Sequence, residues 1–352
     1  MNPEVSVIIP AYNSEEYIAQ ALRSVLNQSY RNLEVILIDD ASTDMTVTIA
    51  RSFHDPRLKI ISNQQNRGVS YSRNRGIEVA QGKWIALLDS DDWYAPQRLK
   101  SLLEVARAKN ADLVADDLFL INDRQQQHWS TLLSEGTESD LPLVTAIDAV
   151  NFVKSDRLSA IDAKRTWSLG YTKPLIRKRF LLENSITYDE KVKVAEDFIL
   201  YLECLRQGAK LYLLNQPYYY YRTRVSSLST RKPTKYLLES CQITQSFINK
   251  EVCSQTESHL LEALLENLIV FQKRLEFYQL LEKIKKGKIW KAIHCLVVHP
   301  YLLGDLFKKL LVIVKIKPIT VLKTFDNSSY KFKALNNKPV YNHKRELQAY
   351  TE

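Results

Sequence analysis

The chain predicts an α/β fold, a mixed and mainly parallel sheet with flanking helices, continued by a helical C-terminal extension. Three observations point there. Short uncharged runs rich in branched apolar residues recur at 5–9, 35–38 and 84–88, with Leu58–Ile61 continuing the alternation, as expected of strands buried on both faces. Between them lie stretches with apolar residues at helical spacing, so strand and helix alternate as a parallel sheet requires. Beyond about Pro233 the strand signals stop, and residues 235–285 read as helices with Leu237, Leu260, Leu264 and Leu268 among their apolar positions.

Each element has a local reason. The run Val5-Ser6-Val7-Ile8-Ile9 is stopped by Pro10, which cannot donate to a central ladder. A helix over about 14–27 follows. Asn13 stands three residues before Glu16 as a loose capping box, and Ile18, Ala21, Leu22 and Val25 form an apolar stripe. The second strand, 35–38, runs into Asp39-Asp40-Ala41-Ser42-Thr43-Asp44. A helix over roughly 70–80, the strand at 84–88, a helix near 96–109 and a strand at 112–115 continue the alternation. Residues 121–142 are polar with few apolar anchors, which predicts a mobile loop. Tyr218-Tyr219-Tyr220-Tyr221-Arg222 follows Pro217 and reads as a β-run whose alternate tyrosines face opposite sides.

The stretch richest in chemistry is Trp84-Ile85-Ala86-Leu87-Leu88-Asp89-Ser90-Asp91-Asp92, an apolar run that breaks into three carboxylates. Carboxylates are costly to bury unpaired, so a cluster at a strand's carboxyl end expects a cation or polar ligand in the crevice there. Asp89 and Asp91 are two apart, and in extended backbone they would point to one side. That suits a hard divalent cation with oxygen ligands. Pro10-Ala11-Tyr12-Asn13 and Asp39-Asp40 fall at the same edge of the sheet.

Three motifs in this order resemble the family 2 glycosyltransferases with the GT-A (Rossmann-like) fold. They are Val5 through Asn13, Asp39 through Asp44, and Asn66-Arg67-Gly68 leading through Arg73-Asn74 and Gly82 to Leu87-Leu88-Asp89-Ser90-Asp91-Asp92; a later Glu196-Asp197 also matches. The resemblance covers about residues 4–225. It implies a nucleotide-sugar site made by Pro10, Tyr12, Asp40, Arg73, Asp89, Asp91, Asp92 and Arg222. Within it Tyr12 would pack on the base and Asp40 would hydrogen-bond it. Asp89 and Asp91 form the family's Asp-x-Asp pair, and Asp91 and Asp92 would hold the ribose and a divalent metal, Mn²⁺ or Mg²⁺, on the diphosphate. The sequence does not divide the roles among the three acids. Asp197, second of the Glu-Asp pair, matches the catalytic base of a single displacement with inversion. Tyr171 through Arg177 resembles a family strand facing the acceptor, although Pro174 departs from the pattern and puts the local pairing in doubt.

The implied organisation is a nucleotide-sugar-binding half at 1–115, an acceptor-binding half of the same domain at 116–230, and a helical, basic region at 231–352. The acceptor would be a glycan or a lipid-linked glycan of cell-envelope polysaccharide assembly. A sugar nucleotidyltransferase would need a glycine-rich phosphate loop after the first strand, where this chain has Pro10-Ala11-Tyr12-Asn13. A non-catalytic relative of the same fold need not keep Asp40, Asp89, Asp91 and Asp197 together.

With 45% hydrophobic and 25% charged residues the composition is that of a folded chain. Cys204, Cys241, Cys253 and Cys295 show no Cys-x-x-Cys spacing, which argues against zinc or a disulfide framework and fits a reducing compartment. The N-terminus leads straight into the first strand, with no signal peptide expected. Residues 283–325 carry ten lysines, no arginine and one acid, Asp305, a surplus equal to the whole chain's +9. Trp290, Tyr301, Phe307 and branched apolar residues are interleaved with these lysines. No apolar run reaches the ~18–20 residues of a transmembrane helix, so this window predicts attachment to an anionic membrane surface, peripheral on the cytoplasmic face. The excess of apolar residues and the lack of arginine make nucleic acid a poor partner.

Overall fold

The computed structural model describes residues 2–123, 127–133, 142–161, 168–223, 233–253 and 259–313. It divides into two units, one ending at Glu282 and one beginning at Lys283. The first unit thus extends well past the 230/231 division drawn from the sequence.

The first unit is built on one sheet. Its strands are β1 (Val5–Ala11), β2 (Leu33–Asp39), β3 (Leu58–Ser62), β4 (Trp84–Leu87), β5 (Trp93–Tyr94), β6 (Leu113–Asn122), β7 (Ser130–Thr131), β8 (Val144–Ile147), β9 (Leu175–Arg177) and β10 (Leu211–Thr223). The helices are α1 (Ile18–Leu26), α2 (Thr46–Arg51), α3 (Val69–Val79), α4 (Arg98–Ala108), α5 (Ala149–Ile161), α6 (Lys178–Glu183), α7 (Glu196–Arg206), α8 (Pro233–Cys253) and α9 (His259–Lys285). The order across the sheet is β3-β2-β1-β4-β9-β6-β10-β5, with β7 beside β6 and β8 beside β10. Strands β3, β2, β1 and β4 are mutually parallel, β9 runs against both β4 and β6, and β6 and β10 are parallel again. The sheet is therefore mixed and mainly parallel, as its apolar runs require.

Alternation within each strand feeds two cores. Ile8, Ile36, Ile38, Ile85 and Leu87 face one side, packed with Phe198, Tyr201 and Leu202 of α7 and with Phe247 and Phe271 of α8 and α9. Val7, Ile9, Val35 and Leu37 face the other, packed with Leu22 and Val25 of α1 and Leu99 and Leu102 of α4. Both sides are dry; the polar Ser6 of β1 and Glu34 of β2 are buried and hydrogen-bonded to each other at 2.6 Å.

Four local expectations are corrected by the structure. Pro10 does not stop β1, which continues to Ala11 with Pro10 opposite Ile38. The Ala11 carbonyl accepts from Asp40 on the β2 side, and that of Ile8 accepts from Leu88 on the β4 side. By alternation Pro10 faces β4, whose pairing with β1 ends at Leu87 opposite Ile8, so no ladder bond is lost. The capping box is absent. Helix α1 begins only at Ile18, and the Asn13 side chain instead accepts from Thr43 N at 2.8 Å. Asp89 and Asp91 do not share an extended strand, because Asp92 N donates to Asp89 O across a tight turn. The strand placed at 112–115 is the ten-residue β6, which runs through two buried acids and takes in the start of the loop placed at 121–142. Part of that loop pairs as β7, and residues 124–126 and 134–141 lie outside the described residues.

The buried acids of β6 are tolerated because each has a partner. Arg98, fully buried, grips Asp116 with Nε and Nη2 at 2.7–3.1 Å and donates to the Lys173 carbonyl at 2.5 Å. Asp117 accepts from the backbone N–H groups of Leu118 and Leu133. Replacing Asp116 by Ala would strand the Arg98 charge in the core, and a loss of about 3–5 kcal/mol is expected. Denaturant unfolding of Asp116→Ala checks this; a loss below about 1 kcal/mol would show that Arg98 finds water or another partner.

Candidate active site

The sequence motifs sit on loops at the carboxyl ends of β1, β2 and β4, and the structure stitches these loops together. Asn13 N donates to Ser42 Oγ, and Asn13 Oδ1 accepts from Thr43. Ser14 N donates to Thr46, while the Ser14 and Ser90 hydroxyls lie 2.7 Å apart. Asn13 and Ala41 hold left-handed backbone (φ 48° and 62°), as does Ala195 immediately before Glu196 (φ 61°). Such conformations cost an ordinary residue about 1–2 kcal/mol and persist where the surrounding structure over-determines them. Here each one turns a motif out of a strand or into a helix.

Asp40 anchors the next loop. Its carboxylate accepts from Asn63 Nδ2 at 2.6 Å, Arg67 N at 3.0 Å and Gly68 N at 2.7 Å. Gly68, with φ 91°, then starts α3 in a conformation that a side chain would strain. Tyr12 stands at the rim beside this loop system, half exposed, while Pro10 is buried within β1.

Helix α3 carries Arg73, which is 1% exposed and not the solvated surface arginine that helix position alone suggests. Its Nη2 donates to Asp89 Oδ1 at 2.8 Å, and its Nη1 donates to Glu196 Oε1 at 2.9 Å and Asp197 Oδ1 at 3.0 Å. Lys173 completes the ring, with Nζ 2.5 Å from Asp197 Oδ2 and 3.2 Å from Asp89 Oδ2. The Tyr188 hydroxyl donates to Asp197 Oδ1 at 2.9 Å. Burial opposes the charge on Lys173, but Asp197 and Asp89 outweigh it and hold the ammonium well above its ordinary range. Burial likewise opposes ionisation of Asp89, and Lys173 and Arg73 overcome it, keeping that carboxyl far below the usual range. Glu196 is pushed upward, first by burial and then by the charge of Asp197.

A second group surrounds Asp92. Its carboxylate accepts from the Tyr219 hydroxyl at 2.7 Å and Arg222 N at 2.8 Å. The Arg222 guanidinium donates to the Asp91 carbonyl and to Gln20, between the rings of Tyr17 and Trp93. Burial, then the charges of Asp91 and Asp89, lift the Asp92 carboxyl well above its ordinary value. The sequence-derived residues therefore gather into two linked clusters: Arg73, Asp89 and Asp197 in one, Asp91, Asp92 and Arg222 in the other. Asp89 N, donating to the Tyr219 hydroxyl at 3.2 Å, joins them.

Lys173, Tyr188 and Tyr219 were not singled out as site residues by the sequence. Lys173 left a weak signal, a lysine directly ahead of Pro174 and the buried strand β9. Pro174 lies just before β9 and costs no ladder bond, and Leu175–Arg177 pairs with both neighbours. Tyr219 lies in the run Tyr218–Tyr221, whose alternation lets two tyrosines line a sugar site while two pack inside; Tyr188 leaves no signal.

Residues 6–167 match the family described as Glycosyl transferase family 2. Over these residues the chain carries a glycosyltransferase family 2 domain, and it is an enzyme of the glycosyltransferase class. It is similar to the succinoglycan biosynthesis protein ExoO of Rhizobium meliloti, 29% identical over 304 residues, which are 86% of this chain and 84% of ExoO. The succinoglycan biosynthesis protein ExoU of the same organism is 32% identical over 228 residues, covering 64% of each chain. Among solved structures, Staphylococcus aureus TarS 1–349 in complex with UDP-GlcNAc aligns with a TM-score of 0.63 at 22% identity, over 83% of this chain and 79% of that one. At that identity the likeness speaks for the GT-A fold.

Proposed function

We propose that this family 2 glycosyltransferase moves a sugar from a nucleoside diphosphate donor to a hydroxyl of a glycan or lipid-linked acceptor, with inversion, in cell-envelope polysaccharide assembly. The observation that carries this reading is the ion cluster Arg73–Asp89–Lys173–Asp197, which ties the acid at the end of β4 to the first turn of α7 inside one cleft. The names of ExoO and ExoU, both succinoglycan biosynthesis proteins, and the complexes of TarS with UDP and UDP-GlcNAc support the donor and pathway class.

In this reading Tyr12 lies under the base, and Asp40, with Pro10 fixing the strand end, shapes the base pocket by holding the 63–68 loop. Arg222 and Arg73 face the diphosphate. The oxygen-only donor set at the 89–92 turn fits a hard divalent cation, Mn²⁺ or Mg²⁺. Asp92 spends one lone pair per oxygen on Tyr219 and Arg222 N, and a bound cation would offset the burial and the neighbouring acids that lift its carboxyl. Asp91 and Asp92 would hold it; when bound, such a cation stabilises charge on the leaving diphosphate. Asp197 takes the proton of the attacking hydroxyl. Lys173, Arg73 and Tyr188 orient its carboxylate toward the cleft and stay bonded while it does so.

If Asp197 is the base, Asp197→Asn should lower turnover by about 10²–10⁴ with donor affinity near normal. Progress curves on a cell-envelope glycan acceptor decide this; ordinary turnover in the variant would remove Asp197 from the chemistry, and a retained anomeric centre would contradict single displacement.

Asp91→Ala should abolish the gain in nucleotide affinity that manganese gives the wild type. Calorimetry in which wild type and variant respond equally to manganese would take Asp91 out of the metal site.

The second unit supports peripheral membrane attachment. Its helices α10 (Ile289–Val298) and α11 (Leu302–Ile313) span about 15–18 Å each, short of ~30 Å of hydrocarbon. No described helix is long and apolar enough to cross a membrane. Yet Trp290 is 85% exposed and Val297 75%, with Ile289, Val298, Leu303 and Phe307 more than half exposed. Part of the basic window, 314–325, lies outside the described residues. We place these exposed apolar side chains, with their lysines, on an anionic surface at the cytoplasmic face. Full-length protein should sediment with phosphatidylglycerol vesicles at low salt, less so at 1 M, and Trp290→Ser with Val297→Ser should release most of the remainder. Failure of the wild type to sediment at low salt would refute the attachment.

A further inference from the structure

The cleft that holds the ion cluster continues away from it. It is a cavity of about 210 Å³, and besides Asp89, Lys173, Glu196, Asp197 and their neighbours its lining draws on helices that carry none of the motifs. Helix α5 gives Asp156, the segment before β9 gives Ser168 and Tyr171, and α8 gives Tyr236, Ser240 and Thr244. Ile243 of α8 and Phe271 of α9 close it on the apolar side. Helices α8 and α9 lie wholly outside residues 6–167, the part matched by the family.

The chemistry of this wall is specific. Asp156 is hydrogen-bonded by Ser168, and the hydroxyls of Tyr171 and Tyr236 are hydrogen-bonded to each other. Ser240 donates to the Tyr236 carbonyl and Thr244 to the Ser240 carbonyl, which leaves the lone pairs of both hydroxyl oxygens as acceptors. The wall thus sets a row of hydroxyl acceptors and a carboxyl group beside aromatic faces. A pyranose ring offers what the wall asks for, hydroxyls at its edge for Asp156, Ser240 and Thr244 and C–H faces for Tyr171, Tyr236 and Phe271.

We propose that α8, through Tyr236, Ser240 and Thr244, together with Asp156 and Tyr171, forms the subsite that seats the terminal sugar ring of the acceptor and presents its hydroxyl to Asp197. The inference rests on the glycosyltransfer reading and adds the residues that choose the acceptor. It assigns the donor to the motif loops of the sheet and the acceptor to the helices packed beside them. Burial lifts the Asp156 carboxyl to about 6 against the hydrogen bond from Ser168, so near neutrality it exchanges between a donor and an acceptor of hydrogen bonds. That is a useful property for a group reading sugar hydroxyls.

The test uses the full-length enzyme, a panel of UDP-, GDP- and dTDP-sugars, and p-nitrophenyl glycosides of glucose, galactose and N-acetylglucosamine as acceptors. Donor binding and donor hydrolysis are read separately from transfer. Asp156→Asn and Thr244→Val should each raise the acceptor KM about tenfold, the effect of one lost hydrogen bond, with donor hydrolysis unchanged. Ser240→Gln, which fills the cavity, should block transfer and spare donor hydrolysis. Wild-type transfer with acceptor KM unmoved in all three variants would overturn the subsite. Donor hydrolysis without any glycoside bound, by saturation-transfer NMR, would overturn it too and leave the glycosyltransfer reading standing. Absence of any nucleotide-sugar binding would instead sink that reading, and the subsite with it.

Discussion

The first unit is organised around the charge cluster in which Arg73 and Lys173 meet Asp89, Glu196 and Asp197. All five side chains are largely removed from water. Charges so placed are tolerated only if each is paired with good geometry, and removing one leaves its partners with a heavy desolvation cost. The pairing reaches across the fold: Arg73 comes from α3, Lys173 from the segment before β9, Asp89 from the end of β4, and the two acids from the first turn of α7. Positions distant in the chain are thereby fixed relative to one another, in the cleft where the family's chemistry is expected.

The cluster is itself supported from below. Arg98, clamped on Asp116, donates to the Lys173 carbonyl, so a buried ion pair in the sheet fixes the backbone from which Lys173 reaches upward. Tyr94 and Tyr219 flank Arg98, and Tyr219 continues to Asp92. One network of buried charge and aromatic hydroxyl thus runs from the middle of the sheet to both acid groups. A polar network in a low-dielectric interior is rigid when satisfied and damaging when broken. Its members should therefore tolerate substitution poorly even where they touch no substrate.

The two halves of the cleft differ in character. The motif loops are made from backbone and short polar side chains, stitched by Asn13, Ser14 and Asp40 at strand ends. The opposite wall is helical and aromatic, built from α5, α8 and α9. Under the proposed assignment, a helical wall separate from the motif loops would let acceptor contacts vary while the loops stay as they are.

The sequence by itself determined the elements and the edge. Branched apolar runs at 5–9, 35–38 and 84–88 have no room for exposure on either face, so a parallel sheet with two cores followed, and the acids after each run had to lie at its carboxyl edge. It also marked most of the cluster, since Arg73, Asp89, Glu196 and Asp197 all fall in recognisable motifs. Tertiary structure alone decided who pairs with whom. Nothing local in the chain says that Arg73 is buried, that Lys173 closes the ring, or that Asp156 and Tyr236, some eighty residues apart, line one cavity. It also decided that Pro10 stays in its strand, because β4 is too short to miss its N–H, and that Asp116 can sit in the core, because Arg98 reaches it. Periodicity reports which side of an element is dry; it carries no information on the partner that a buried charge will meet.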